Sequence, residues 1–237
     1  VFTLKNRSTS VNTRSSLALA NRGVFTNMPV VLYSLLLLTL FGCASSNAHR
    51  AASVSDYRPS NVFRIRLPQG FTRVAVLPMV ADPNLGKPAS LANIESVIRR
   101  ELLSTKRFEL LMVSRDELES LTGKETLSST ENWPYLLKKQ FLEQQVDGVM
   151  VVELTALKGT SPVAIGLKAR LVGLQTGETY WAADEIFDAG KAAVFSAART
   201  YEKGTLPGIN KDEDSSISQS PSKFAAFAAL SLFKTLP

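Results

Sequence analysis

The stretch Val149-Met-Val-Val-Glu-Leu-Thr-Ala-Leu157 limits what the chain can become more than any other. A run this dense in apolar and β-branched residues keeps almost nothing polar for solvent. As a strand it belongs at the centre of a sheet. Thr72-Arg-Val-Ala-Val-Leu-Pro-Met79 is a second near-continuous run, closed by Pro78, which has no amide hydrogen to give a ladder. Such strands need cover on both faces, the arrangement of α/β sheets.

The segments between and after them supply that cover. Leu91, Ile94, Val97, Ile98 and Leu102 fall on one stripe at helical spacing, with Arg99, Arg100 and Glu101 largely off it. This predicts a helix from a Ser90 cap to about Lys106. Phe108–Val113 reads as a strand, and Ser114-Arg-Asp-Glu117 has capping-box order for a short helix to Leu121. Leu127 to Asn132 is polar and turn-like. Pro134 suits a first helical turn, followed by the face Tyr135, Leu136, Phe141, Leu142 and Val146. Val163, Ile165, Leu167, Ala169 and Leu171 alternate with Ala164, Gly166, Lys168 and Arg170. After the turn Gln175–Glu178, Tyr180, Ala182, Asp184 and Ile186 share one face and Trp181, Ala183, Glu185 and Phe187 the other. The two stretches predict a long antiparallel hairpin. An alanine-rich helix follows over Gly190–Gly204, with Val194, Ala197, Ala198 and Tyr201 inward. A polar loop, mobile by its composition, spans 205–221. Ser222–Leu236 predicts a terminal helix docked on the sheet. The expected fold class is α/β (α+β): one three-layer domain, residues 71–237, with a mixed sheet of about five strands and helices on both faces.

The amino-terminal part is of another kind. Val30–Gly42 holds no charge and ends at the one cysteine, Cys43, while Lys5, Arg7, Arg14 and Arg22 precede it without any acidic residue. A bilayer-crossing helix needs roughly 20 apolar residues. A secretory signal core needs about 7 to 15 behind a positive flank. The second description fits, with a start at either Val1 or Met28. Residues 1–42 are therefore expected to be a removed signal peptide. Their loss changes the basic-to-acidic balance from 27:21 to 23:21, so the basic character does not argue for nucleic acid. Residues 43–70 begin with small and polar residues and read as a flexible tether. About 25 such residues span roughly 25–30 Å as a coil. Val62, Ile65 and Leu67 suggest a short edge strand at its end.

Leu40-Phe41-Gly42-Cys43 resembles the lipobox of bacterial lipoproteins, with Phe41 standing where a smaller residue is usual. The resemblance implies cleavage between Gly42 and Cys43, acylation of the Cys43 thiol, and a lipid anchor in the membrane. Ala44, rather than aspartate, next to the cysteine resembles an outer-membrane sorting signal.

Arg73-Val-Ala-Val-Leu-Pro78, Phe108-Glu-Leu-Leu111, Val146–Glu153, Gly166–Val172 and Thr176–Trp181, in that order with intervening helices, resemble a periplasmic α/β domain. It is shared by curli-secretion-channel lipoproteins, lipoprotein activators of penicillin-binding proteins, and the amino-terminal domain of the Tol-Pal translocation protein. The resemblance implies a non-enzymatic, outer-membrane-linked protein facing the periplasm that binds envelope or periplasmic proteins. A ring-forming, homo-oligomeric subunit of a secretion or appendage assembly is the alternative. In that case Lys168 and Arg170 line a pore.

The residues offer little for chemistry. His49, the single histidine, lies in the tether beside no ligand cluster, so no histidine base serves a nucleophile in the folded part. There is no phosphate loop, nucleophile elbow or zinc-helix motif. No catalytic residue, metal ligand or cofactor is expected. A glycan-acting enzyme of the cell wall, working by paired carboxylates, is the weakest alternative. Its candidates are Asp184-Glu185, Asp116-Glu117 and Asp212-Glu-Asp214. The first pair alternates across a strand, the second belongs to a helix start, and the third is a solvated run.

Overall fold

Alternate residues of two neighbouring strands feed two separate cores, which fixes the layering. The computed structural model describes residues 57–205 and 216–237. Its strands are β1 (Val62–Arg64), β2 (Arg73–Val76), β3 (Val80–Ala81), β4 (Glu109–Met112), β5 (Gly148–Lys158), β6 (Ala164–Gly173) and β7 (Thr179–Asp188). Its α-helices are α1 (Pro88–Ser104), α2 (Arg115–Thr122), α3 (Tyr135–Glu143), α4 (Ala192–Thr205) and α5 (Pro221–Phe233). Val74 and Val76 of β2, with Met150, Val152 and Leu154 of β5, face a large core built with α1, α4 and α5. Ala75, Val149 and Val151 face a smaller core with Leu118 of α2 and Leu137 and Phe141 of α3. The domain is thus three-layered and mixed α/β, with helices on both faces.

The sheet order is β1-β7-β6-β5-β2-β4, with β3 pairing β5 beyond the end of β2. β4, β2 and β5 run parallel, and β5, β6, β7 and β1 antiparallel. Seven strands replace the expected five. β1 is the short edge strand expected from Val62, here shorter and joined to the domain's sheet, and the two-residue β3 is too short to leave a periodic signal. Residues 1–56 and 206–215, which carry the expected leader, half of the expected tether and most of the 205–221 loop, lie outside the described residues, while Tyr57 and Ser60 in the tether's other half are tied to Glu185. The loop's last part is packed: Ile217 is buried, and its amide donates to Glu202.

The expected hairpin is present, with Ile165↔Phe187 and Ala169↔Ala183 in register. Two bulges alter its details. Thr155 is an extra residue between the pairs Leu154↔Leu167 and Ala156↔Gly166. This brings Leu157 back toward the large core after Met150, Val152 and Leu154. A Cβ on Gly166 would lie 2.5 Å from Thr155 Oγ1 and 3.0 Å from the Ala156 amide nitrogen, so the bulge requires glycine opposite it. Tyr180, at the second bulge, packs edge-on against Phe71 at 5.3 Å.

Helix starts follow local chemistry with two shifts. α1 opens at Pro88 behind Lys87, not at a Ser90 cap, because proline's fixed φ and missing amide hydrogen suit the first turn. Ser114 does cap α2, accepting from the Glu117 amide, but the Glu117 carboxylate takes Gln140 Nε2. α2 ends at Gly123, whose φ of 74° favours glycine. α3 buries Leu137 and Phe141, while Tyr135, Leu136 and Leu142 are exposed, contrary to the expected face. α5 is apolar all round and is buried almost all round, as such a helix must be.

Candidate functional site

β2 leads by its carboxyl end to α1 on one face, and β4 leads to α2 on the other. Chains that part to opposite faces at adjacent strand ends open a crevice between them, the usual ligand position in open α/β sheets. The crevice is present here. A cleft of about 480 Å³ is lined by Met79, Ala81, Pro83, Pro88, Leu91, Ala92 and Arg115, with Glu125 and Thr126 on its rim.

An ion network closes the inner end. Glu95 of α1 is 9% exposed. Its Oε1 accepts from the Met79 amide at 2.9 Å and meets Arg99 Nη2 at 3.0 Å. Its Oε2 pairs with Arg115 Nη2, which also donates to Met79 O. Arg99 Nη2 donates to Val113 O. Two guanidinium groups on one carboxylate leave a net positive charge at the end of the sheet. The network joins α1, α2 and the ends of β2 and β4. The sequence carried a signal for it that the stripe analysis passed over: Glu95 lies four residues after Leu91 and four before Arg99. Glu101, expected off the stripe, is also buried, at 8% exposure.

A half-buried carboxylate, Glu153, holds down the polar segment expected to be a simple turn. Glu153 Oε1 accepts from Ser129 N at 2.9 Å, Ser129 Oγ at 2.8 Å and Ser128 Oγ at 2.9 Å. Its Oε2 faces Lys168 Nζ at 3.5 Å. Arg170 donates to Ser129 O and to Thr179 Oγ1. Lys168 and Arg170 thus serve the domain's own packing. Burial pushes the Glu153 carboxyl up, but the Ser129 amide, the two serine hydroxyls and Lys168 outweigh it and hold it below its ordinary 4.5. A depressed folded value gives stability that is present above 4.5 and lost as pH falls below it. Glu153→Gln should therefore destabilise at neutral pH, with the gap to wild type shrinking on acidification below 4.5. Urea unfolding across a pH series measures this; a gap that does not change with pH contradicts it.

The other candidates separate in space. Glu185 accepts from Tyr57 Oη, Ser60 N and Ser60 Oγ, while Asp184 is exposed on the opposite face. Burial and the Glu185 bond push the Tyr57 hydroxyl up to about 12. Asp116 and Glu117 sit in the first turn of α2. Gly42, Cys43, His49 and Asp212–Asp214 lie outside the described residues. Among the described residues, no group of three or more His, Cys, Asp or Glu is placed to hold a metal ion, and no helix is long and apolar enough to cross a membrane.

The open side of β1 is the second feature a partner would meet. β1 pairs with β7 alone. Asn61 O accepts from the Asp184 amide and the Ile65 amide donates to Tyr180 O. By alternation Val62 and Arg64 turn their backbone groups outward. Phe63 stands opposite Ala182, on the same face as Ile186, and both are about half exposed, at 51% and 52%.

No protein-family model matches the chain, and no curated protein matches it. Among solved structures it is similar to a PelC dodecamer variant from Paraburkholderia phytofirmans, at 13% identity and a TM-score of 0.38, covering 73% of this chain and 98% of that one. It is similar to lipoprotein GNA1162 from Neisseria meningitidis, at 13% identity and 0.39, covering 55% and 93%. It is similar to the LpoB C-terminal domain from Escherichia coli, at 19% identity and 0.33, covering 49% and 82%. At these identities and TM-scores nothing about activity or partners is carried over.

Proposed function

We propose that this chain is a non-enzymatic interaction module of the bacterial cell envelope. It is anchored at the outer membrane through acylated Cys43, faces the periplasm, and binds an extended segment of another envelope protein along β1. The observation that carries the binding role is the edge itself. It offers outward backbone donors and acceptors at Val62 and Arg64 beside the exposed side chains of Phe63 and Ile186. An added strand gains main-chain hydrogen bonds from such an edge and selectivity from the flanking apolar side chains. The anchor rests on the leader and the lipobox-like Leu40–Cys43.

Two measurements test the two halves separately. Mass spectrometry of the mature amino terminus should find a diacylated or triacylated Cys43, and Cys43→Ser should move the protein out of the membrane fraction. Unchanged sedimentation would remove the anchor. For the edge, Arg64→Pro deletes an outward amide hydrogen without touching the β7 ladder. It should fold normally and lose in-cell crosslinks to the envelope partner, as should Phe63→Asp. Crosslinks retained in both variants would eliminate β1 as the contact. A ring-forming subunit would instead elute as a closed oligomer in size-exclusion chromatography with light scattering.

A further inference from the structure

The cleft at the ends of β2 and β4 lies at the opposite end of the strand order from β1, and the edge-binding reading makes no use of it. Its volume of about 480 Å³ falls within the roughly 300–1,000 Å³ of small-ligand sites. Its wall is mainly apolar, from Met79, Ala81, Pro83, Pro88, Leu91 and Ala92, with Glu125, Thr126 and one cation, Arg115, also lining it.

That cation is held in place. Both hydrogen bonds of the Arg115 guanidinium pass through Nη2, to Glu95 Oε2 and Met79 O. Among the described residues no hydrogen bond is made by Nε or Nη1, and the side chain remains 39% exposed. Glu95 does not cancel its charge, because Arg99 shares the same carboxylate. The anchored guanidinium has lost most of its rotamer freedom before any ligand arrives, which lowers the entropic cost of binding. Glu125 also lines the cleft and offsets part of the Arg115 charge, so one carboxylate suits the site better than a dianion, whose desolvation costs more than a single opposed guanidinium returns.

We propose that this cleft binds the free carboxyl terminus of an apolar peptide. The carboxylate accepts from Arg115, and the preceding side chains lie against Leu91, Ala92, Pro83 and Met79. The edge of β1 would then not be the only recognition surface, and loss of either would leave the other.

The test uses the full chain and two probes, acetyl-Ala-Leu-Leu with a free carboxylate and the same peptide as its amide, followed by calorimetry. The acid should bind roughly tenfold or more tightly than the amide, as a charge-assisted bond requires. Arg115→Lys keeps a positive charge against Glu95 but cannot present Nη1 and Nε, so acid binding should fall by a similar factor. Ala92→Trp fills the cleft from an exposed helix position without touching the Glu95 network, and should abolish binding in a folded protein. Inorganic phosphate should not compete. Equal binding of acid and amide, no binding of either at millimolar concentration, displacement by phosphate, or full binding by the Ala92→Trp variant would each overturn the assignment.

Discussion

Glu95→Ala is expected to lower the unfolding free energy by about 2–4 kcal/mol, less than for a fully buried pair because the Arg99 and Arg115 side chains stay 26% and 39% exposed. The Met79 amide, Arg99 and Arg115 all converge on this carboxylate, and each loses its partner at once. Arg99 Nε is already buried without a hydrogen-bond partner, so without Glu95 this guanidinium keeps only the Nη2 bond to Val113 O. Glu95→Gln should cost less, since a side-chain oxygen still accepts from Met79. The exposed pair Lys139–Glu143, 3.9 Å apart, provides the contrast: Glu143→Ala should leave the unfolding midpoint almost unmoved. Denaturant unfolding measures all three. A Glu95→Ala loss no larger than that of Glu143→Ala would show that the network does not hold the end of the sheet together. The alanine variant would also unfasten Arg115, so its effect on the cleft should exceed its effect on the β1 edge.

Phe227→Ala should cost a similar amount, about 3–5 kcal/mol, for a different reason. Phe227 is fully buried and is the meeting point of three rings: Phe224 at 5.7 Å, Phe187 at 6.0 Å and Tyr201 at 6.0 Å. Those rings belong to α5, β7 and α4, so truncation opens a cavity where three elements meet and none can close it alone. At roughly 2–4 °C per kcal/mol for a domain of this size, the melting temperature should fall by about 6–20 °C. Phe195, on the outer side of α4 and 40% exposed, should tolerate alanine with a change of under about 1 kcal/mol. Calorimetry on both variants measures the difference. Equal small shifts would mean that α5 is only loosely seated on the sheet.

How far each element could be read from its residues follows from where its information lies. α4 and α5 were legible because one has a clean inward stripe and the other no polar face at all. The β6–β7 hairpin was legible because alternation over ten residues admits one pairing face. α3 was not. In a nine-residue helix, Leu137 with Phe141 and Tyr135 with Leu142 are equally good apolar pairs, and only the position of the sheet chooses the first. The Thr155 bulge also escaped, since a bulge is defined by the partner strand, here by Gly166 opposite. Glu153 sits within an apolar run, and its partners Ser128, Ser129 and Lys168 come to it from other segments.

The amino-acid sequence alone determined the α/β class and the identities of the longer strands and helices. These depend on periodicity and composition, which are local properties of the chain. Tertiary structure alone decided the cleft, the charge pairing of Glu95 with Arg99 and Arg115, and which neighbour β1 pairs and which side it leaves open. Each requires groups from distant segments to meet, or a strand to be left without a neighbour, and no window of residues contains that information.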